Sequence, residues 1–179
     1  MQQVISALHN ENVGQILLNE PLGPYTTWKI GGPADYLLIP HSKDQLVRMV
    51  KILHEHQTPW FKLGKGSNVL VTDKGYRGIV IKLGEALETL RFEDYKVHAG
   101  AAYGMIKLAV MSGKQGLTGL EFAGGIPGTV GGAVFMNAGA HGSDMSSVLK
   151  SAEVLLDTGE LVKLGVDELE FSYRHSKLH

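Results

Sequence analysis

Cysteine is absent from the sequence, and its absence removes disulfide frameworks, thiolate nucleophiles and zinc–thiolate sites together. A surplus of either charge is absent too, since 17 Lys and Arg stand against 18 Asp and Glu for a formal net charge of −1. With no basic cluster, neither nucleic acid nor an anionic membrane surface is the expected partner, and a small-molecule ligand is favoured. No apolar run reaches the ~20 residues of a membrane span, and no secretory leader is recognisable, so a cytoplasmic protein without a membrane partner is expected. The His-Glu-x-x-His metal pattern is missing. His54-Glu55-His56 sets its imidazoles two apart, on different sides of a helix, so no metal site is expected. Internal repeats and low-complexity linkers are lacking as well.

What is present is glycine. The chain holds 23 glycines in 179 residues, nearly double the usual ~7%, alongside 44% hydrophobic residues, enough for a proper core. Six of the glycines fall in Ala123–Ala140, AGGIPGTVGGAVFMNAGA, which carries no charge. Each glycine costs roughly 0.5–1 kcal/mol relative to alanine within regular structure, so such density is expected where backbone must approach something closely or take φ > 0. A phosphate held by turn amides and a helix N-terminus is one such partner. A tight crossing of two backbones in the core is the other reading.

A second glycine-bearing turn, Gly64-Lys65-Gly66-Ser67-Asn68, follows the apolar run Trp60–Leu63. It is neither a Walker A loop, because Gly66 follows Lys65, nor a Rossmann fingerprint, because Val69 stands where the third glycine belongs. An anion-binding turn and an ordinary hairpin turn both remain open.

Periodicity gives the coarse layout. Val4, Ile5 and Leu8, then Val13, Ile16 and Leu17, recur at helical spacing before Pro21 and Pro24. Ala34–Ile39 reads as a strand, and Ser42 with Gln45 as a capping box opening a helix to about His56. Strands at Trp60, at Asn68–Thr72 and at Ile79–Leu83 complete a βαβ-type unit. Beyond Glu85 come strands at Thr89–Phe92 and Lys96–Gly100, a helix through Met105–Met111 stopped by Gly113 and Gly116, strands at Ala152–Leu156 and Leu161–Leu164, and a short acidic helical piece ending near Phe171.

Five blocks, in order, resemble one family. They are Thr27–Asp35 (TWKIGGPAD); Gly64–Leu70 with Asp73, Gly75 and Gly78; Glu121–Ala133 (EFAGGIPGTVGGA); Met136–Gly139 (MNAG); and Phe171–Ser176 (FSYRHS). Their register resembles UDP-N-acetylenolpyruvoylglucosamine reductases, flavoenzymes of peptidoglycan-precursor and hence cell-wall synthesis. The resemblance implies an α+β, two-lobed FAD-binding fold of the vanillyl-alcohol-oxidase (PCMH) type. The lobes would be residues 1–84, including the N-terminal helical segment, and 85–179, with the third, substrate domain absent.

It further implies FAD extended between the lobes. Gly64, Lys65, Gly66, Ser67 and Asn68, with Gly124, Gly125, Ile126, Pro127 and Gly128, would bind it near the pyrophosphate, chiefly through amides. Gly131, Gly132, Asn137, Ala138 and Gly139 would line the flavin or adenine side, although Asn137 reads equally as a buried structural hydrogen-bonder. NADPH would reduce the flavin, which would pass hydride to the enolpyruvyl group of the UDP-sugar. Arg174 matches the family's catalytic arginine, stabilising the enolate-like oxyanion, and Tyr173 would pack at the substrate. Glu121 is read as a capping residue, and His141 and His175 as solvent-exposed polar residues close to ligand segments.

Two other functions are weighed. A sugar or hydroxy-acid oxidase with FAD shares the fold, but should carry a covalent-flavin histidine or cysteine. A non-catalytic flavin-binding module is the second. In the family a serine that donates the proton and a glutamate near the C-terminus lie in the further domain, and neither has a counterpart in this sequence. The expectation is flavin binding with little or no turnover, checked by following NADPH oxidation dependent on the UDP-sugar.

Overall fold

The computed structural model describes all 179 residues, which fall into two units, Met1–Leu87 with Leu155–Leu161, and Glu88–Val154 with Val162–His179. In the first, α1 (Gln2–Asn10) precedes β1 (Gln15–Pro21), β2 (Pro33–Ile39), α2 (Lys43–Glu55), β3 (Trp60–Leu63) and β4 (Tyr76–Lys82). The strands form one sheet in the order β1-β2-β4-β3, with β1 antiparallel to β2 and the other pairings parallel. The β2–α2–β3 crossover thus leaves a slot that β4 fills. β4 is central, and its four consecutive buried residues from Gly78 to Ile81 fit a strand covered on both faces.

Alternation along the strands sends side chains to two separate cores. Leu38, Ile79 and Ile81 join Val4 and Leu8 of α1 and Met49, Val50 and Leu53 of α2. Leu37, Leu63 and Val80 face the other way, against Leu22, Val69 and Val71. Each fully buried Leu or Met is worth roughly 1.5–3 kcal/mol over an exposed one. The helix α2 begins where the sequence places it, with the Gln45 amide donating to Ser42 Oγ at 3.1 Å. The return bond goes one residue earlier than in a standard capping box, from the His41 amide to Gln45 Oε1 at 2.7 Å.

Two sequence expectations are corrected in this unit. Val13, Ile16 and Leu17 are not helical, because Asn12 (φ 47°) and Gly14 (φ 118°) end α1 in left-handed backbone. Ile16 and Leu17 then lie in β1 and pack into opposite cores. Asn68–Thr72 forms no strand. Residues 64–75 link two parallel strands, so the chain must travel back along the sheet, and it does so through residues 69–72 between turns at 67–68 and 73–74. Val69 and Val71 turn inward while Leu70 is 72% exposed. The alternation is that of a strand without a ladder partner.

The second unit opens with the hairpin β5 (Leu90–Glu93) and β6 (Lys96–Ala99), turned through Asp94 at φ 51°. The helix α3 (Met105–Lys114) ends in a Schellman motif: the Leu117 amide donates to the Ser112 carbonyl, the Gly116 amide to that of Gly113, each at 3.0 Å. A 3₁₀ turn (Glu121–Gly125) and α4 (Val130–Phe135) follow, then the two-residue strands β7 (Gly139–Ala140) and β8 (Ser143–Asp144). The hairpin β9 (Ser151–Leu155) and β10 (Leu161–Gly165) precedes a last 3₁₀ turn at Asp167–Leu169. Met105 and Leu108 of α3, Ala133 and Val134 of α4, Phe122 and Leu169 centre this unit's core.

Gly75 holds the start of β4. It sits at φ 73°, its amide donates to the Thr72 carbonyl at 2.9 Å, and a methyl there would fall on the Pro33 carbonyl. Gly75→Ala is expected to cost about 2–4 kcal/mol from backbone strain and overlap, against about 1 kcal/mol for removing the α2 cap in Ser42→Ala. The midpoints of urea unfolding curves check the order.

Candidate functional site

In the first unit, the turn after β3 is shaped by a crossing with the chain at Thr26. Gly66 adopts φ 62°, and a Cβ on it would lie 2.7 Å from Thr26 Cα. The Gly66 carbonyl accepts from the Thr27 amide at 3.2 Å, and the Lys65 carbonyl from Thr27 Oγ1 at 3.3 Å. The turn's carbonyls are thereby engaged with Thr27, whereas the amides of Lys65, Gly66 and Asn68 donate to no protein group. Asn68 is exposed, and Ser67 is half-buried. The turn does not join a hairpin, since β3 and β4 run parallel.

The glycines of the second unit have two different reasons to be there. The Gly131 amide donates to the Ala101 carbonyl at 2.9 Å, and a Cβ there would press on Ala101 at 3.0 Å. Gly139 is equally constrained, with Ser143 O 2.6 Å from the position of its missing Cβ. These two glycines are accounted for by close backbone approach. Gly124 and Gly125 are exposed, lie outside the left-handed region, and would bring a methyl within 4 Å of nothing. Nothing inside the protein requires glycine at either position.

The amides divide in the same way. At the start of α4, Val130 donates to the Tyr103 carbonyl at 2.9 Å, Gly131 to Ala101, and Gly132 to Thr129 Oγ1 at 3.3 Å. The helix end is therefore closed by the protein's own acceptors. Just upstream, Gly128 sits at φ 110° with its carbonyl taken by the Met105 amide, while the Gly128 and Thr129 amides have no protein acceptor. Ile126 and Pro127 carry the chain between these glycines. The amides without an acceptor are thus those of Gly128 and Thr129, immediately before the first turn of the helix that the sequence pattern points to.

Asn137 is buried at φ 41° with its side chain fully engaged. Its Nδ2 donates to Asp144 Oδ2 at 3.2 Å and to the Ser172 carbonyl at 3.0 Å, and its Oδ1 accepts from the Ser146 amide at 3.0 Å. Its side chain is thus hydrogen-bonded within the fold. Neighbouring Ala138 is buried, its amide donating to the Ala133 carbonyl at 2.8 Å.

The SYRHS motif folds into a tight turn closed by reciprocal bonds between the Ser172 and His175 backbones, at 3.1 and 3.2 Å. Arg174 stands at its tip with φ 55°, exposed, its Nη2 donating to the Gly139 carbonyl at 3.3 Å. The guanidinium lies 5.5 Å from the ring of Tyr173, which is 89% exposed. Ser176 is completely buried, and its Oγ donates to the Phe135 carbonyl at 2.7 Å. Beside the turn, Lys177 Nζ meets Glu170 Oε1 at 2.9 Å, a hydrogen-bonded ion pair that holds the Glu170 carboxyl below its ordinary range and Lys177 above its own.

Sequence reasoning passed over Ser176, Ser172 and Asp144 as structural partners of this site. The one signal available was serine at both ends of a five-residue motif. Glu121 caps the Gly119 amide at 2.8 Å, and His141 lines an open cleft of about 370 Å³ with Gly119, Glu121, Phe122 and Ser143. His175 stacks on His179 at 4.7 Å. No cluster of three potential metal ligands occurs, and no helix is long and apolar enough to cross a membrane.

Two units that mix helix and sheet, each with a glycine whose amide has no protein acceptor, Gly66 in one and Gly128 in the other, are compatible with a dinucleotide-binding flavoprotein domain. Residues 34–165 match the family model described as "FAD binding domain", and the chain belongs to that family. It is 51% identical over 178 residues to UDP-N-acetylenolpyruvoylglucosamine reductase 1 of Bacillus cereus and 49% identical to the reductase of Bacillus subtilis. Those alignments cover 99% of this chain and 59% of each relative. The crystal structure of UDP-N-acetylenolpyruvylglucosamine reductase from Thermus caldophilus superposes with a TM-score of 0.76 at 37% identity, over 92% of this chain and 57% of that one. A chitooligosaccharide oxidase shares the fold at TM-score 0.70 and 17% identity.

The two classes of glycine separate by substitution. Gly124→Ala and Gly125→Ala are expected to change stability by less than about 1 kcal/mol, whereas Gly131→Ala, pressed against Ala101, should lose about 1–3 kcal/mol. Denaturant midpoints of the three variants measure the difference.

Proposed function

We propose that this chain binds FAD through its two glycine-rich stretches and serves the NADPH-dependent reduction of UDP-N-acetylglucosamine enolpyruvate to UDP-N-acetylmuramate. The observation that carries the reading lies in the stretch from Gly124 to Thr129. Its glycines at 124 and 125 have no internal cause, and its Gly128 and Thr129 amides have no internal acceptor. A pyrophosphate needs donors that approach closely and are not already engaged. The residues present fit that group, and the amides of Lys65, Gly66 and Asn68 fit it in the same sense.

Gly64 to Asn68 and Gly124 to Gly128 hold the phosphates in this reading, with Lys65 acting through its backbone. Gly131, Ala138 and Gly139 shape the wall beside the ring system, and Asn137 supports that wall from behind. When bound, FAD supplies the hydride relay from NADPH to the enolpyruvyl group. Arg174 keeps a permanent positive charge beside the oxygen on which negative charge develops, lowering the barrier without a proton transfer of its own. The exposed ring of Tyr173 offers the UDP-sugar an apolar face with a polar tip. NADPH and a nucleotide-sugar are both cytoplasmic metabolites, so the reading is of a cytoplasmic enzyme of cell-wall precursor synthesis.

The visible spectrum of the purified chain, taken after adding FAD and desalting, tests the cofactor. A retained flavin spectrum is expected, and Gly124→Val with Gly125→Val should weaken FAD affinity at least tenfold at unchanged fold. A folded chain that never retains flavin would overturn the reading. In any form of the protein that oxidises NADPH with the UDP-sugar, Arg174→Ala should lower kcat by about 10²–10³ with the flavin spectrum preserved.

A further inference from the structure

The turn that carries Arg174 is fastened to the end of α4 in a regular way. Three residues spaced by two along one segment meet three residues spaced by two along another. The Phe135 carbonyl accepts from Ser176 Oγ at 2.7 Å, the Asn137 side chain donates to the Ser172 carbonyl at 3.0 Å, and the Gly139 carbonyl accepts from Arg174 Nη2 at 3.3 Å. The first two contacts flank the turn, one at each end, and the third is made by the arginine itself. Ser176 is 0% exposed and Asn137 4% exposed, so both fasteners work out of water, while Arg174 at the tip is exposed.

Arg174 also needs such support. A bulky residue at φ 55° is held in a sparsely populated backbone region that persists only where the surroundings over-determine it. The Ser172–His175 bonds close the turn upon itself but tie it to nothing else. Its position relative to the 135–139 segment is set by Asn137 and Ser176 together with the bond from Arg174 to Gly139, and just beyond the turn the rings of Phe135 and His179 meet at 4.1 Å. Ser176 Oγ adds a second bond by accepting the Leu178 amide at 3.3 Å, and Asn137 is held in turn by Asp144 and Ser146.

We propose that Asn137 and Ser176 are positioning residues for Arg174, a two-point clamp that fixes the guanidinium against the 135–139 segment. Neither side chain has to touch a ligand for this. The functional weight of the clamp rests on the reading of Arg174 given above, but the clamp itself is a statement about local order. A tenfold misplacement penalty on chemistry requires only a small displacement of a charged group.

The Arg174–His175 peptide bond is a tryptic site inside the clamped turn, which supplies the readout. Ser176→Ala removes one fastener, and Asn137→Gly removes the other while tolerating φ 41°. Cleavage of the native chain after Arg174 is compared with cleavage after Lys150, an exposed lysine outside the turn. Each variant is expected to speed cleavage after Arg174 at least tenfold while leaving Lys150 within about twofold. Phenylglyoxal labelling of Arg174, read by peptide mass, should rise in parallel.

Equal acceleration at both sites would mean general destabilisation and would overturn the clamp, as would no change at either. If one variant fails to fold, the other decides by the same ratio. In a form of the protein that turns over, the clamp variants should lower kcat with flavin still bound and KM little changed. Selective opening combined with full activity in Arg174→Ala would leave the clamp standing and remove the catalytic reading of the arginine, so the two failures are distinguishable.

Discussion

The structure of the second unit depends on how its backbone amides are shared out. A buried N–H without an acceptor is costly, so nearly every one is matched inside the fold. At the start of α4 the matching is complete, because Tyr103, Ala101 and Thr129 take the amides of Val130, Gly131 and Gly132. That engagement fixes the helix against the 101–105 segment and forces glycine at 131. Just upstream the matching stops at two residues, and the amides of Gly128 and Thr129 have no protein acceptor. A helix N-terminus would have been the obvious anion site. Here it is used for folding, and the binding proposed for this segment falls to the preceding loop.

The same logic links the glycine-rich segment to the arginine turn. Alternate residues at 135, 137 and 139 look toward the turn through two carbonyls and one amide side chain. A segment that runs past a proposed ring-binding wall therefore also sets where the positive charge stands. In the proposed function, cofactor and charge share one piece of backbone, and a shift of that piece moves both.

Much of this was legible in the sequence. The strand at residues 34–39 and the α2 start at Ser42 were read from period and cap chemistry, and the glycine density at 123–140 drew attention to the stretch on which the proposed site rests. Two elements were not legible. The Val13–Leu17 pattern satisfies a helical period and a strand period alike, and only Asn12 and Gly14 in left-handed backbone decide between them. The Val69–Val71 alternation is true of the structure, but alternation reports burial and not ladder bonding, so no strand results. Within the glycine cluster, composition cannot separate Gly131 and Gly139, which serve packing, from Gly124 and Gly125, which do not. That separation needs the folded positions of Ala101 and Ser143 against these two glycines. Ser176 was hidden for a related reason: the group its hydroxyl bonds is the Phe135 carbonyl, and backbone has no letter in a sequence.

The unladdered loop of residues 64–75 bears on cooperativity. Val69 and Val71 anchor it by side-chain burial, while its backbone is tied at few points, among them the Thr72 carbonyl, which receives the amides of Gly32 and Gly75. Segments of this kind open at lower free energy than the ladders beside them and exchange their amide hydrogens sooner. The GKGSN turn sits at the head of such a segment, so a ligand captured there suppresses a local opening as well as occupying a site. Part of its binding free energy then appears as protection of the loop, and ligand concentration becomes a term in the stability of the first unit.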